Sequence, residues 1–365
     1  MRTNWMLLLA LCISTLMNAQ DLKKKDVYNT MDKVAAWQIK QDPVRKPADW
    51  TYGALYSGMM DWAVMAEDDT YINWLLNQAE ICNWDRNPRK VAPYHADDYA
   101  VGIMYLDMYR LKKEEKMIAP VREHLDYIIT NPSSRSLDHC NWRDESPSQR
   151  WSWCDALFMA PPVFAKLYSI TGDRKYLEFM HKEYRATTDF LYDHKEHLYY
   201  RDSRYFHQKE ANGKNIFWGR GNGWVFAGLA MVLPELKDSY TEKMWYEKIF
   251  TDMADKIVSC QNEKGYWHAS MLDPDSYPNP EMSSTGFFVY GLAWGINNGY
   301  LCKEKYLPAV MKGWKSLCDA VEKDGKLGWV QPIGADPKKV TREMTENYGV
   351  GAFLKAGAEI YKMAK

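Results

Sequence analysis

Position 155 carries an aspartate immediately before a long apolar run, where a helix is expected to begin. The surrounding residues are Trp151-Ser-Trp-Cys-Asp155-Ala-Leu-Phe-Met-Ala-Pro-Pro162. One interpretation is structural, because a carboxylate at a helix N-terminus accepts backbone N–H groups and complements the helix dipole. The alternative is catalytic, because the aromatic surface of Trp151 and Trp153 desolvates the acid and raises its pKa, which suits a proton donor.

A second acid, Asp97, lies in the loop-like stretch 94–99, Tyr-His-Ala-Asp-Asp-Tyr. It either caps the helix that follows or faces Asp155 across a pocket. Two neighbouring carboxylates couple, because one ionised acid raises the pKa of the other. The dipole of a helix that begins at Asp155 acts in the opposite direction, and the sequence leaves open which effect is larger.

A third candidate is the glycine-rich cluster 217–224, which places Arg220 between Trp218 and Trp224. Its spacing is not that of a phosphate-binding Gly-x-Gly-x-x-Gly loop, and no strand precedes it. Two interpretations remain open. The cluster is either a structured turn whose arginine binds backbone carbonyls, or a guanidinium fork for a carboxylate with tryptophans as sugar platforms.

Metal and cofactor sites are not expected. Four histidines fall in predicted loops without ligand spacing, namely His95, His139, His207 and His268. The acidic stretch 273–281 lacks the glycine of a calcium loop and is rich in proline. No cysteine forms a Cys-x-x-Cys pair, and in a chain of this size the cysteines are interpreted as buried thiols rather than as a disulfide framework, with a single bridge left open.

The elements that must position these residues are helices. Apolar residues recur at helical spacing in twelve segments, which are 26–40, 54–66, 70–83, 97–112, 115–130, 154–170, 174–191, 222–236, 241–261, 283–299, 304–322 and 346–363. Very short connections alternate strictly with long ones, as in stacked helical hairpins. The helices after the long connections are rich in Gly, Ala, Met and aromatics, which is typical of inner helices buried on most sides. The sequence therefore predicts an all-α, (α/α)6 barrel in one domain, residues 20–365. Two short strands are also expected, at 198–201 and 326–331.

This arrangement would bring all six long loops to one end of the ring, where they lead into the N-termini of the inner helices. Converging aromatic-rich loops form a pocket, and helix N-termini favour an anionic ligand. The chain has 16 Trp and 25 Tyr, many in loop-like sequence, which suits sugar recognition. The formal net charge of −1 gives no reason to expect a nucleic-acid partner.

The N-terminus indicates export. Arg2 precedes the apolar run 6–17, and Ala19 is a small residue before a charged segment. This pattern predicts a signal peptide over residues 1–19, with the mature protein periplasmic or secreted. No later stretch is long and apolar enough to predict a membrane span. The oligomeric state is left open.

Several of these motifs together resemble a known family, the unsaturated glucuronyl and rhamnogalacturonyl hydrolases of glycoside hydrolase family 105, which are related to family 88. Trp153-Cys-Asp155-Ala-Leu-Phe-Met-Ala resembles their Trp-x-Asp-Gly-Leu-Tyr-Met-Ala motif, and residues 219–224 resemble their Gly-Arg-x-x-Gly-Trp element. Residues 97–102 are similar to their Asp-Asn-x-x-x-Gly, and residues 50–53 and 348–354 to their first and last inner-helix entries. The likeness covers most of the chain in the same order.

The resemblance implies an enzyme that removes a terminal 4,5-unsaturated uronic acid from lyase-generated oligosaccharides, with Asp155 as principal acid/base and Asp97 as second carboxylate. The residues expected to bind the substrate are Trp50, Tyr52, His95, Trp151, Tyr200, Trp218, Arg220 and Trp224. Tyr200 stands where many members carry histidine, and the loop 131–150 does not align. Both departures leave the second sugar open, although a uronyl-rhamnose type is expected.

Two other functions fit the same fold. A polysaccharide lyase or sugar epimerase would need a tyrosine paired with histidine or arginine, and Tyr200, Tyr205 and His207 are available. A non-enzymatic glycan-binding protein is the other alternative. A lyase creates an alkene in an intact polyuronide, whereas the expected hydrolase removes one.

Overall fold

The computed structural model describes residues 22–86, 94–138 and 150–365. Helices dominate this part of the chain: α1 (Lys24–Gln38), α2 (Trp50–Ala66), α3 (Asp69–Ile81), α4 (Gly102–Lys112), α5 (Ala119–Thr130), α6 (Ala156–Met159), α7 (Pro161–Thr171), α8 (Arg174–Leu191), α9 (Gly219–Val232), α10 (Lys243–Ser259), α11 (Met282–Asn297), α12 (Lys303–Asp319) and α13 (Asn347–Met363). Two short antiparallel strands, β1 (Tyr192–Asp193) and β2 (Leu198–Tyr199), pair in the loop after α8. The predicted signal peptide, residues 1–19, lies outside the described residues, and so do His139 and Cys140.

The inner helices form a closed ring. Helix α2 contacts α4, α4 contacts α7, α7 and α6 contact α9, α9 contacts α11, α11 contacts α13, and α13 returns to α2. Helices α3, α8, α10 and α12 each pack on the inner helix that precedes them, α5 lies beside α8, and α1 packs on α13. The predicted (α/α)6 barrel is confirmed.

The inner and outer helices differ in composition and burial as expected. Every residue of α9 is buried, and so is α11 from Met282 to Gly295. Outer helices bury one face only, as in α8, where Tyr176, Met180 and Tyr184 are buried and charged residues lie between them. Burial of the inner helices on most sides explains why they lack a polar face.

Small residues set how closely neighbouring inner helices approach. Gly58 of α2 faces Gly351 of α13, and a Cβ at Gly58 would overlap the carbonyl oxygen of Gly351. A Cβ at Gly351 would in turn overlap the carbonyl oxygen of Ala54. The ring therefore closes at a point where only glycine fits both backbones.

Some predicted boundaries are wrong. The segment 154–170 is divided into α6 and α7, because Pro161 and Pro162 have no N–H to donate to the carbonyls of the preceding turn. Helix α9 begins at Gly219 rather than 222, since complete burial of this turn outweighs the low helix propensity of glycine. The expected strand at 326–331 is reduced to one bridge between Val321 and Leu327.

The cysteines of the described residues, Cys82, Cys154, Cys260, Cys302 and Cys318, are free thiols, although only Cys154 is buried. Within the same residues, no helix combines the length and the apolar character needed to cross a bilayer.

Candidate active site

A cavity of about 140 Å³ opens at the end of the ring where the inner helices begin. Its lining residues are Trp50, Asp97, Trp153, Asp155, Met159, Arg201, Trp218, Arg220, Trp224, Ile333 and Gly334. They come from the entries to α2, α4, α6 and α9, from the loop after β2 and from the loop before α13. Five of the six long connections, or the helix starts that follow them, therefore supply the lining, and the loop 262–282 supplies none of it. The same arrangement brings Asp97 and Asp155 to one cavity.

Asp155 does not cap the helix that it precedes. Its backbone is already helical, with φ −60° and ψ −29°, and its side chain accepts no hydrogen bond from the first turn of α6. Capping requires an extended backbone, so the structural interpretation of this acid is not supported. Instead, the Cys154 thiol donates to Asp155 Oδ1 at 3.3 Å, and Arg201 Nε lies 3.7 Å from Oδ2.

The environment of Asp155 favours its protonated form. The residue is 9% exposed, and burial raises the pKa of its carboxyl group. The Asp97 charge acts in the same direction, whereas Arg201, the Cys154 hydrogen bond and Arg220 act against it. Burial outweighs the opposing contributions, so this carboxyl group holds its proton above the usual range for an aspartate and is suited to general acid catalysis.

Asp97 lies in a 3₁₀ turn, Ala96–Tyr99, that leads into α4. His95 precedes this turn, and its Nδ1 accepts a hydrogen bond from the Asp97 backbone N–H at 3.3 Å and lies 3.7 Å from Asp97 Oδ2. The His95 ring also packs against Trp153, with 4.9 Å between ring centroids. His95 therefore contacts Asp97 and helps to position its carboxylate, but His95 itself does not line the cavity.

Aromatic rings form one wall of the cavity. Trp50 stacks on Tyr348, with ring centroids 5.5 Å apart, and meets the edge of Trp224 at 6.1 Å. Trp218 donates from Nε1 to Gln331 Oε1 at 3.2 Å. Trp218 and Trp224 are almost fully buried, whereas Trp50 is partly exposed. Trp50 is thus the ring of this wall best placed to meet a sugar.

Arg220 lines the cavity, but its terminal nitrogens are occupied. Nη1 donates to the carbonyl of Gln331, and Nη2 donates to the carbonyl of Pro332 at 2.9 Å. The guanidinium lies between the rings of Trp218 and Tyr348, 4.4 and 4.7 Å from their centroids. Of the two interpretations from sequence, these contacts support the structural one, in which the arginine binds backbone carbonyls and fixes the loop that carries Ile333.

Besides His95, three residues expected to bind substrate do not line the cavity. Trp151 is 2% exposed and donates to the Tyr99 hydroxyl at 3.2 Å, so it belongs to the core. Tyr52 is buried within α2 beside Tyr56. The Tyr200 hydroxyl donates to Asp193 and accepts from Asn215, which directs it into the loop around β1 and β2.

Sequence reasoning missed Arg201, which lines the cavity beside Asp155. Arg201 Nη1 donates to the buried Asp202 at 2.7 Å, and Arg204 binds the same carboxylate through Nε and Nη2. Burial alone would raise the pKa of Asp202, but the hydrogen bonds from Arg204 and Arg201 outweigh it and lower that pKa to about 2. The available signal was the Arg-Asp-Ser-Arg run of residues 201–204, in a long loop without helical periodicity.

A closed ring of six helical hairpins, with acids and tryptophans where its inner helices begin, is the architecture of the six-hairpin glycosidases. The family model described as Glycosyl Hydrolase Family 88 matches residues 11–364, and the chain belongs to this family.

Individual relatives agree with this assignment. An unsaturated 3S-rhamnoglycuronyl hydrolase from Formosa agariphila is 39% identical over 358 residues, which cover 94% of this chain and 92% of that protein. The structure of a glycosyl hydrolase family 88 protein from Bacteroides vulgatus superposes with a TM-score of 0.84 at 32% identity and covers 93% of this chain and 99% of its own. A protein described as a polysaccharide lyase gives a TM-score of 0.83 at 35% identity, with 93% and 97% covered.

Proposed function

We propose that this chain removes the terminal 4,5-unsaturated uronic acid from lyase-generated oligosaccharides, and that rhamnose is the sugar behind the uronate. The observation that carries the proposal is the nearly buried Asp155, which faces a cavity shared with Asp97 and whose pKa is raised. The name of the Formosa agariphila relative supports both the unsaturated uronate and the rhamnose. Within the broader group we assign the chain to the family 105 type, on its Trp-x-Asp motif and its Gly-Arg-x-x-Gly-Trp element.

In the proposed mechanism Asp155 donates its proton to C4 of the alkene, while positive charge develops at C5 and at the ring oxygen. Water then adds at C5 and returns a proton to the Asp155 carboxylate. The hemiketal opens to a ketone, and the hemiacetal left at C1 releases the next sugar, so one water is consumed for each bond broken. Asp97 is the second carboxylate, whose charge helps Asp155 to retain its proton before the transfer.

The direct test is a panel of purified unsaturated disaccharides, with uronyl-rhamnose compared with glycosaminoglycan products. The ultraviolet absorbance of the alkene should disappear fastest with uronyl-rhamnose. Asp155→Asn should lower kcat by at least about 10³-fold, since general acid help alone is worth about 10²–10⁴-fold. The exposed Asp275, changed to Asn, is a matched control expected to retain full activity. Loss of alkene at an unchanged rate in Asp155→Asn would refute the assignment of this residue.

A second candidate, a polysaccharide lyase, is favoured by the similar protein described in that way. Its tyrosine and histidine candidates, Tyr200, Tyr205 and His207, are not among the residues that line the cavity. Incubation with an intact polyuronide separates the two reactions. A lyase would make the alkene absorbance rise, whereas the proposed hydrolase leaves the polymer unchanged.

We also propose that residues 1–19 direct export and are removed, which leaves residues 20–365 as one catalytic domain in the periplasm or outside the cell. The support is the short apolar run after Arg2 and the small residue Ala19. Mass spectrometry of the protein from its native host should give a mature N-terminus at Gln20. An intact Met1 in the folded protein would contradict this proposal.

A further inference from the structure

Two arginines line the cavity, and they differ in which of their nitrogens are occupied. The terminal nitrogens of Arg220 both donate to backbone carbonyls. Arg201 uses Nη1 for Asp202 and directs Nε towards Asp155, but no hydrogen bond between described residues uses its Nη2. The Arg201 side chain is 17% exposed and borders the cavity. Arg220 is only 1% exposed, so the cationic donor accessible to a ligand is Arg201 Nη2.

The guanidinium of Arg201 is held in place before any ligand arrives. Asp202 is fully buried, and its carboxylate is fixed by Arg204 at 2.8 Å from Nε and at 2.7 Å from Nη2. The backbone carbonyl of Arg201 accepts a hydrogen bond from the Cys154 N–H at 2.8 Å, which ties this residue to the segment that carries Asp155. Such preorganisation lowers the entropy cost of binding through a long side chain.

We propose that Arg201, rather than Arg220, binds the carboxylate of the unsaturated uronate through Nη2 and thereby places C4 of the alkene beside Asp155. The inference rests on the proposed function. In this sugar C5 carries the carboxylate and is bonded to C4. A carboxylate on Arg201 therefore brings C4 close to the acid, whose Oδ2 lies 3.7 Å from Arg201 Nε.

Binding in this way also adjusts the acid. In the unliganded protein the positive charge of Arg201 lowers the pKa of Asp155 against the effect of burial. A substrate carboxylate on Nη2 offsets part of that charge, so Asp155 holds its proton more firmly once the anionic sugar is bound. When the proton has moved to C4, the Asp155 carboxylate regains the attraction of Nε. Arg201 thus selects the anionic substrate and stabilises the acid after it has reacted.

The test compares one unsaturated disaccharide with its methyl ester, which lacks the negative charge. For each variant the ratio of kcat/KM for the acid to kcat/KM for the ester is measured, because this ratio does not depend on the fraction of folded enzyme. Arg201→Gln should lower the ratio roughly 100-fold, the scale for loss of one partner of a buried charge pair. Arg201→Lys keeps a charge beside Asp202 and should lower the ratio less.

Two further variants make the result decisive. Arg204→Gln loosens Asp202 but leaves the Arg201 guanidinium in the cavity lining, so its ratio should fall much less than that of Arg201→Gln. Arg220→Lys should also keep the ratio, whatever its effect on stability. The proposal is overturned if Arg201→Gln leaves the ratio unchanged, or if Arg220→Lys abolishes the preference for the acid while Arg201→Gln retains it. If the proposed function itself is wrong, the wild-type enzyme will consume neither the unsaturated disaccharide nor its methyl ester. That result differs from both outcomes that overturn the role of Arg201.

Discussion

At the scale of single residues, three effects compete over the proton of Asp155. Burial raises the pKa of this carboxyl group, the Asp97 charge adds to the increase, and Arg201 opposes both. A helix begins at the next residue, but Asp155 does not cap it, and α6 spans only Ala156–Met159. Burial therefore decides the direction of the shift, and the raised pKa favours the protonated form that the proposed chemistry requires.

The raised pKa predicts how stability depends on pH. Below the unfolded-state pKa of an aspartate, about 3.9, Asp155 is protonated in both states and folding carries no penalty. As the pH rises from there to the folded-state pKa, the unfolded chain ionises first, and the wild type loses stability relative to Asp155→Asn at about 1.4 kcal/mol per unit of pKa displacement. Urea unfolding of both proteins across this range measures the difference. A gap that stays constant with pH would contradict the raised pKa.

The pH dependence of catalysis tests the coupling between the two acids. In the proposed mechanism Asp155 must be protonated, so kcat/KM should fall as the pH rises through its folded-state pKa. The Asp97 charge raises that pKa, and therefore Asp97→Asn should move the descending limb to lower pH as well as reduce the rate. The measurement is a kcat/KM profile of the residual activity. A limb that moves to higher pH would show that the two carboxylates do not interact in this sense.

At the scale of the helices, the site depends on how closely inner helices approach each other. Helices α2 and α13 deliver Trp50 and Tyr348, which stack at the rim of the cavity. Gly58 and Gly351 lie further along these two helices. A Cβ added to either glycine would overlap a backbone carbonyl oxygen of the neighbouring helix. The glycines thus fix the helix spacing on which the aromatic wall depends.

Gly58→Ala should destabilise the fold by about 1–3 kcal/mol, the usual cost of forcing extra volume between packed elements. The general gain from replacing glycine within a helix, up to about 1 kcal/mol, does not offset this overlap. Chemical denaturation gives the value. Gly334→Ala serves as the control, since its added Cβ would meet only the Gln331 amide nitrogen and the Pro332 carbonyl oxygen, both at ordinary contact distance. It should change stability by less than about 0.5 kcal/mol. Equal effects of the two substitutions would argue against the close contact.

At the scale of the whole molecule, the ring has two different ends. The inner helices begin around the acidic cavity and end around a second cavity of about 640 Å³ that contains neither Asp97 nor Asp155. Lys166, 9% exposed, pairs there with Asp107 at 2.6 Å and lies 3.6 Å from Glu235, and Arg110 joins the same acids. This network holds α4, α7 and the turn after α9 together at the end away from the chemistry.

Lys166→Ala should therefore separate stability from catalysis. Removal of the buried ammonium leaves Asp107 and Glu235 with Arg110 alone, and the loss of one partner of a buried pair costs about 3–5 kcal/mol. Thermal unfolding should show a clearly lowered midpoint, whereas kcat per folded molecule should be unchanged, because the network does not border the catalytic cavity. A fall in kcat comparable to that of Asp97→Asn would mean that the two ends are coupled.

The sequence by itself determined the ring and the end of the ring at which the two acids meet. Helical periodicity and the alternation of short and long connections are local signals, and they suffice to place Asp97 and Asp155 at the start of inner helices. The Gly-rich segment 217–224 was assigned to the correct rim for the same reason. The sequence placed the start of its helix at residue 222, whereas the helix begins at Gly219.

Only the tertiary structure decided which groups hold these residues. Arg220 donates to the carbonyl of Gln331, 111 positions away in the sequence, and this contact favours the structural interpretation of the arginine over the carboxylate fork. Arg201 gains its position from Asp202 and from the segment of Asp155, contacts that no periodicity encodes. The direction of the Asp155 pKa was likewise undecided, because desolvation depends on every chain segment that excludes water from the acid, and those segments meet only when the ring closes.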